Sequence, residues 1–459
     1  MYNDPLVNRY ATKEIVNNFS DEKRYVTWRK IWLELAKAQK QLGLTITDAQ
    51  IQQMEANLEN IDFQEVAKLE KELHHDLMAH LHAFSKQAPL AKPIIHLGAT
   101  SETVKDNADL ILIKDALEII KPKLLQLLQA LAKFANEYKN TATIGFTHLQ
   151  VAQPTTVGKR ACGWLQSFVN DFEDLTYFLE NNLKFRGLKG ATGTQASFKG
   201  LFNGNYEKVK ELNNLLTEAF GFQDSFIITG QTYDRKLDVT LLNILANIGV
   251  SAHKITNDIR ILQHLKEIEE DFVKKQVGSS AMPYKRNPIR SERVSSLAKY
   301  VMALPASSYM VAATQWLERT LDDSANRRIT IPNAFFAVDA ILQLLLNIVT
   351  NLNVNTKVIA KNIEKELPFL ATENIMMLAV TTGGDRQQLH EKIRKMAMET
   401  KQEMIESDAA NTLLEKILKD KEFNLTKEKL QTVLHIEDFI GFAKEQVEDY
   451  LQSIASILK

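Results

Sequence analysis

The sequence predicts a mainly α-helical protein, an elongated central bundle of long helices flanked by two smaller helical domains. Three observations carry this. Leu241, Leu245, Ile248, Ala252, Ile255, Ile259 and Leu262 recur at alternating spacings of four and three, which is a heptad seam. A helix spanning 237–265 would be roughly 43 Å long at 1.5 Å per residue, more than one compact domain needs, so it requires long partners. Two further apolar faces supply them: Leu124, Leu127, Leu128, Leu131, Ala135 and Tyr138, and then Val338, Ile341, Leu345, Ile348 and Leu352. Strand signals are scarce, the clearest being FIIT at 226–229, and no series of βαβ units is visible.

Taken in chain order, residues 1–100 form a mixed, more polar N-terminal domain that ends near IIHLGATSETVKDN, where the long helices begin. Residues 101–354 form the central bundle, with Pro122 starting or kinking its first long helix. Residues 355–459 turn to shorter, highly charged helices such as EKIRKMAMETKQEM. The chain is long enough for a sizeable core in two or three domains. The segment AVDAILQLLLNIVTNL (337–352) is interrupted by Asp339, Gln343 and Asn347, falls short of a membrane span, and reads as a buried core helix. Helices with such uninterrupted seams leave apolar surface on a monomer, which predicts a homo-oligomer.

Composition narrows the function classes. Lys and Arg number 56 against 57 for Asp and Glu, a balance that argues against a general electrostatic role on nucleic acid or anionic membrane. Any anionic ligand must meet a local cluster of bases. The single cysteine, Cys162, cannot form an intrachain disulfide and lacks partners for a thiolate zinc site, so a reducing, cytoplasmic setting is expected. MYNDPLVNRYATKE lacks the features of a secretory signal.

Five polar islands interrupt the helices. In ELHHDLMAHLH (72–82), His75 and His82 on one helix would lie some 10 Å apart, too far to share a metal ion; His75 is either a structural histidine on a helix face or a substrate contact. HLGATSETVKDN (96–107) leads into the first long helix. GFTHLQVAQPTT (145–156) reads as a hydrogen-bond-rich turn entering a helix, with His148 either packed or catalytic. ERTLDDSANRR (318–328) holds Arg319, Arg327, Arg328 and Ser324, which suit either an anion cradle or a solvated face. Outside these islands, RGLKGATGTQASF (186–198) fits neither a dinucleotide nor a P-loop fingerprint and reads as a tight connection. The fifth island, GSSAMPYKRNP (278–288), is loop-like in composition. A catalytic reading nevertheless gives every member a part to play. Gly278 permits movement, backbone N–H groups near Ser279 and Ser280 hold an anion, Lys285 supplies positive charge, and Asn287 supplies amide groups.

This last segment resembles the GSSxMPxKxNP signature of the fumarase/aspartase superfamily, lyases that release fumarate. GFTHLQVAQPTTVGKR, FRGLKGATGTQASF, FIITGQTYDRK, GSSAMPYKRNPIRSER and ERTLDDSANRR resemble, within it, the animal-type branch of the adenylosuccinate lyase family. The resemblance implies a fumarase/aspartase-like homotetramer whose active sites are each built from three subunits, acting on small purine nucleotides with no metal or organic cofactor. It implies Ser279 as the general base, with Ser280 one position away as the alternative, and His148 as the general acid. His75 is implied as a second active-site histidine, and Lys285 and Asn287 as stabilisers of the carbanionic intermediate. Arg9, Tyr10, Arg319, Ser324 and Arg328 resemble phosphate and ribose contacts; Thr100, Ser101, Thr147 and Gln231 resemble succinyl-side contacts, with Arg293 near the nucleotide. The signature is shared with argininosuccinate lyase, but TGTQASF, ITGQTYDRK and DDSANRR favour a purine substrate. A non-catalytic scaffold of the same fold is opposed by the joint presence of Ser279, Lys285, Asn287 and His148.

Overall fold

The computed structural model describes residues 3–272, 281–407 and 410–459. The first helices are α1 (Lys13–Asn18), α2 (Asp21–Gln41), α3 (Asp48–Ala56), α4 (Phe63–Leu73) and α5 (Asp76–Gln87), followed by the long α6 (Ser101–Glu137). A hairpin of β1 (Ala142–Thr147) and β2 (Gln150–Thr156) runs directly into α7 (Val157–Tyr177). Then come α8 (Ala196–Leu201), α9 (Tyr206–Ala219), α10 (Lys236–His264), α11 (Ile289–Ala303), α12 (Pro305–Ala313) and α13 (Asp323–Thr350). The C-terminal helices are α14 (Thr356–Leu370), α15 (Thr372–Thr381), α16 (Arg386–Ser407), α17 (Leu413–Lys419), α18 (Lys427–Gln431) and α19 (Ala443–Ser453). Besides the hairpin, strand pairing is confined, among the described residues, to the two-residue pair Ile268–Glu269 with Asn353–Val354 and one bridge between Phe185 and Ser225.

The chain divides into two compact units, neither continuous in sequence. One gathers Met1–Leu124, Asn170–His253 and Arg293–Leu344; the other gathers Leu125–Val169, Lys254–Glu292 and Leu345–Lys459. All seven heptad residues of α10 are buried, none more than 3% exposed. Burying each large aliphatic side chain contributes about 1.5–3 kcal/mol, so the seam stabilises the fold without help from helix propensity. In α13 the polar interruptions are satisfied locally. The buried Asp339 carboxylate accepts from Lys123 Nζ at 2.6 Å and from the Thr12 backbone N–H at 2.7 Å, with Gln343 Nε2 at 3.0 Å. This helix is long and apolar enough to cross a membrane, but 67% of its apolar window is buried inside the protein, as a core helix requires.

One local expectation is narrowed and two are corrected. Of the two alternatives for Pro122 the helix start is excluded, because α6 has already run from Ser101 and the proline lies inside it. FIIT is not a strand: Phe226 donates its N–H to Phe185 O, but Ile227 and Ile228 are 89% and 86% exposed and join no sheet. ELHHDLMAHLH is not one helix either. His74 adopts a left-handed conformation (φ 52°) that closes α4, and His75 starts α5 afresh.

Candidate active site

In the first unit, His75 is the N-cap of α5, and its Nδ1 accepts from the Met78 backbone N–H at 3.4 Å. Its Nε2 lies 3.5 Å from Ser101 Oγ at the start of α6. The next residue in sequence, Asp76, joins distant segments. Its Oδ1 accepts from Lys105 Nζ at 2.9 Å and from the Leu77 N–H at 2.7 Å; its Oδ2 accepts from Arg328 Nη2 at 2.9 Å. Burial alone would raise this carboxyl, yet the Lys105 and Arg328 contacts overcome it and hold Asp76 down at about 2. The ring of His96 is pushed the other way, to about 4, by burial and then by the charge of His75, and its neutral Nδ1 accepts from Trp32 Nε1 at 2.9 Å. Thr100, immediately before Ser101, shares a contact with Thr103, Oγ1 to Oγ1 at 3.1 Å.

Arg319, Ser324 and Arg328 arrive on α13 and the loop before it. They line a small polar cavity of about 20 Å³ together with Glu102, Lys105 and Asp109. That is room for about one water-sized group. Within ERTLDDSANRR, Asp323 and Arg327 are buried and Arg328 is exposed. Arg319 Nη1 donates to Asp323 Oδ1 at 2.7 Å and its other nitrogen lies 3.6 Å from Glu102. Gln231 is brought beside it, because the Gln231 N–H donates to Glu318 O at 2.9 Å. The loop carrying Gln231 packs against the glycine-rich connection: Gly193 has φ +82°, and a Cβ there would lie 2.0 Å from Thr229 O. Arg9, Tyr10 and Arg293 form a separate group, the guanidinium carbons of Arg9 and Arg293 lying 5.9 and 5.7 Å from the Tyr10 ring centroid.

In the second unit, His148 and Leu149 are the two turn residues of the β1–β2 hairpin. Both have positive φ, 54° and 58°, the geometry of a primed two-residue turn, with Thr147 paired to Gln150. Such turns normally take Gly, Asn or Asp. A histidine and a leucine held there store backbone strain, and the strain presents the imidazole at an exposed tip. Gly145 sits at the register shift between Ile144 and Phe146, where a Cβ would meet Gln153 O at 2.4 Å. A cavity of about 1120 Å³ beside the hairpin is lined by Gly145, Leu149, Lys159, Arg160, Arg260 and Pro288, among others. Lys285 is exposed, its N–H donating to Met282 O at 3.0 Å, and the Asn287 carbonyl accepts from the Ile289 N–H at 2.8 Å. Gly278, Ser279 and Ser280 lie outside the described residues.

The structure thus joins Ser101 to His75, joins Lys105 to Arg328 through the neighbouring Asp76, and joins Arg319 to Gln231. His148, Thr147, Lys285 and Asn287 belong to the other unit. Sequence reasoning passed over Asp76 and Lys105. The signal for Asp76 was adjacency to His75 in HHD; Lys105 carried none, being one lysine on a long helix.

Comparison with known proteins completes this picture. A family model described as "Lyase" matches residues 3–303, and one described as "Adenylosuccinate lyase C-terminus" matches residues 368–450. The chain is 48% identical over 453 residues to an adenylosuccinate lyase of Schistosoma mansoni, covering 98% of this chain and 94% of that one. It is 48% identical over 455 residues to an adenylosuccinate lyase of Saccharomyces cerevisiae, with the same coverages. Among solved structures, a 3-carboxy-cis,cis-muconate lactonizing enzyme from Pseudomonas putida superposes with a TM-score of 0.86 at 21% identity, over 99% of this chain and 100% of that one. A fumarate lyase from Mesorhizobium superposes with a TM-score of 0.82 at 22% identity, over 98% and 99%. These two report the fold, the mainly helical architecture expected from the heptad seams. Full-length identity near one half, with both family models in their expected order along the sequence, shows that the chain belongs to the adenylosuccinate lyase family.

Proposed function

We propose that the protein is a C–N lyase that eliminates fumarate from adenylosuccinate, leaving AMP, and performs the same cleavage on succinyl-aminoimidazole-carboxamide ribotide. The observation that carries the reading is near-complete coverage at 48% identity by relatives that bear this activity in their names. The cationic and hydroxyl-bearing cluster of Arg319, Ser324, Arg328, Ser101 and His75 supports it, because a nucleotide phosphate and a succinyl dicarboxylate both need fixed donors.

The chemistry assigns the roles. Elimination requires a proton to leave the carbon beside a carboxylate while the C–N bond to the purine amine breaks. Ser279 takes that proton. A neutral serine is a poor base, so the positive charge of Lys285 and surrounding backbone donors must favour its ionised oxygen. Lys285 and Asn287 then stabilise the aci-carboxylate that develops, as an oxyanion site does. His148 delivers a proton to the departing nitrogen, and its exposed position on a strained hairpin tip lets it reach substrate outside its own strand pair. His75, held at the start of α5 by its N-cap bond, orients the substrate's anionic groups together with Ser101. Arg9, Tyr10 and Arg293 hold the nucleotide, while Thr100, Thr147 and Gln231 hold the succinyl side. The active unit is a cytoplasmic homotetramer with sites shared between subunits, acting without metal or cofactor.

The test is direct. Purified protein incubated with adenylosuccinate should release AMP and fumarate in equal amounts. Fumarate from argininosuccinate alone, or from neither compound, would overturn the reading.

A further inference from the structure

We propose that Asp323, acting with Arg235, is a positioning residue that sets the direction of Arg319 and the placement of Gln231. The inference deepens the function proposed above and rests on the substrate contacts assigned there to Arg319 and Gln231.

The observation is a continuous run of charge-assisted contacts at the foot of those two residues. Asp323 is fully buried at the first turn of α13, and both its oxygens are used: Oδ1 accepts from Arg319 Nη1 at 2.7 Å and Oδ2 accepts from Arg235 Nε at 2.7 Å. Arg235, 2% exposed, continues the run. Its Nη2 donates to Asp106 Oδ1 at 2.8 Å, and its guanidinium carbon lies 4.4 Å from the Tyr233 ring centroid. The other Asp106 oxygen accepts from the Tyr233 backbone N–H at 3.0 Å, and Tyr233 lies two residues beyond Gln231. Gln231 closes the circuit through its bond to Glu318 O, next to Arg319. Segments near residues 102–106, 231–235 and 318–323 are thereby held by one polar skeleton.

Why a protein would bury this skeleton is the physical point. Desolvating two carboxylates and their guanidiniums costs several kcal/mol per ion, and a buried ion pair adds little net stability over apolar packing. What it does provide is direction. A guanidinium held by one edge to a buried carboxylate cannot swing, so its remaining donors face one way. Arg319 is 17% exposed while its partner Asp323 is 1% exposed, so the anchor is the more deeply buried of the two, and the other Arg319 edge lies 3.6 Å from Glu102 at the side of the small cavity. Arg186 and Arg327 lie 4.0 Å from Asp106 as well, and Arg327 is paired with Asp238 and Asp109, so the run is closely charge-matched and its effect on Arg319 is one of direction.

The test is a kinetic double-mutant cycle with adenylosuccinate as substrate. Asp323→Asn keeps size and shape but replaces one acceptor with an amide N–H that repels a guanidinium. It should raise KM about 10- to 100-fold, the range expected for losing a charge-assisted hydrogen bond, with kcat changed much less. In an Arg319→Ala background the same substitution should lower kcat/KM by a clearly smaller factor than in the parent, since the part transmitted through Arg319 is gone and only the part reaching Gln231 through Arg235 remains. Fully multiplicative losses would assign Asp323 a general structural role and overturn the proposal. If Asp323→Asn does not fold, Arg319→Lys takes its place: it keeps the charge and loses the forked grip on Asp323. Its KM should rise comparably, and an unchanged KM overturns the proposal. Failure of the unmodified protein to cleave adenylosuccinate would instead strike the function on which this inference rests.

Discussion

Replacing Asp76 with Asn removes the charge that gathers Lys105 and Arg328 around His75 while preserving shape. The magnitude follows from the site. A carboxyl held at about 2 instead of its ordinary 3.8 contributes about 2.5 kcal/mol to folding at neutral pH. Because the folded value is depressed, this contribution is fully present above about pH 4 and is lost as the pH falls through 2. At pH 3 roughly half remains, about 1.3 kcal/mol. Equilibrium urea unfolding of the parent and of Asp76→Asn at pH 7, 4 and 3 therefore has a stated outcome: a gap near 2.5 kcal/mol at pH 7 that narrows steadily on acidification. A gap that is absent at pH 7, or equally large at pH 3, would refute the electrostatic account of this site. Freeing Arg328 at the same time should raise KM for the nucleotide more than it lowers kcat.

Other outcomes follow from the same geometry. Asp171 behaves in the opposite sense: burial pushes its carboxyl up to about 7, a Ser251 hydrogen bond opposing and Asp174 adding to the rise, so its contribution is lost as the pH rises from about 4 through 7. Asp171→Asn should accordingly be the more stable protein at pH 8, by up to about 4 kcal/mol, and match its parent near pH 4 in thermal or urea unfolding. Gly193→Ala forces a side chain into a left-handed position against Thr229 O, and should cost at least about 1–3 kcal/mol and weaken substrate binding through the Gln231 loop. His148→Ala and Ser279→Ala should each lower turnover by at least ~10² without unfolding the protein, and near-normal turnover in either removes its assigned role.

Much of this protein is determined by its sequence alone. The heptad in α10 and the apolar faces of α6 and α13 specify long packed helices, because burying leucine and isoleucine at helical spacing has one efficient solution. The motif around Lys285 and Asn287 points to the lyase family through its resemblance to that family's signature, and the family matches bear out the membership. Tertiary structure decided what spacing does not encode. It split ELHHDLMAHLH at His74, where one residue crossing to positive φ turned His75 from a helix-face residue into a cap. It folded GFTHLQVAQPTT into a hairpin whose polar strands show no apolar alternation. It buried Asp323, Arg235 and Asp106 together, although they lie up to about two hundred residues apart in a chain of balanced charge. Periodicity reports which face of an element is dry; only the folded chain shows which charges meet there, since Coulomb attraction depends on distance in space and leaves no period in the sequence.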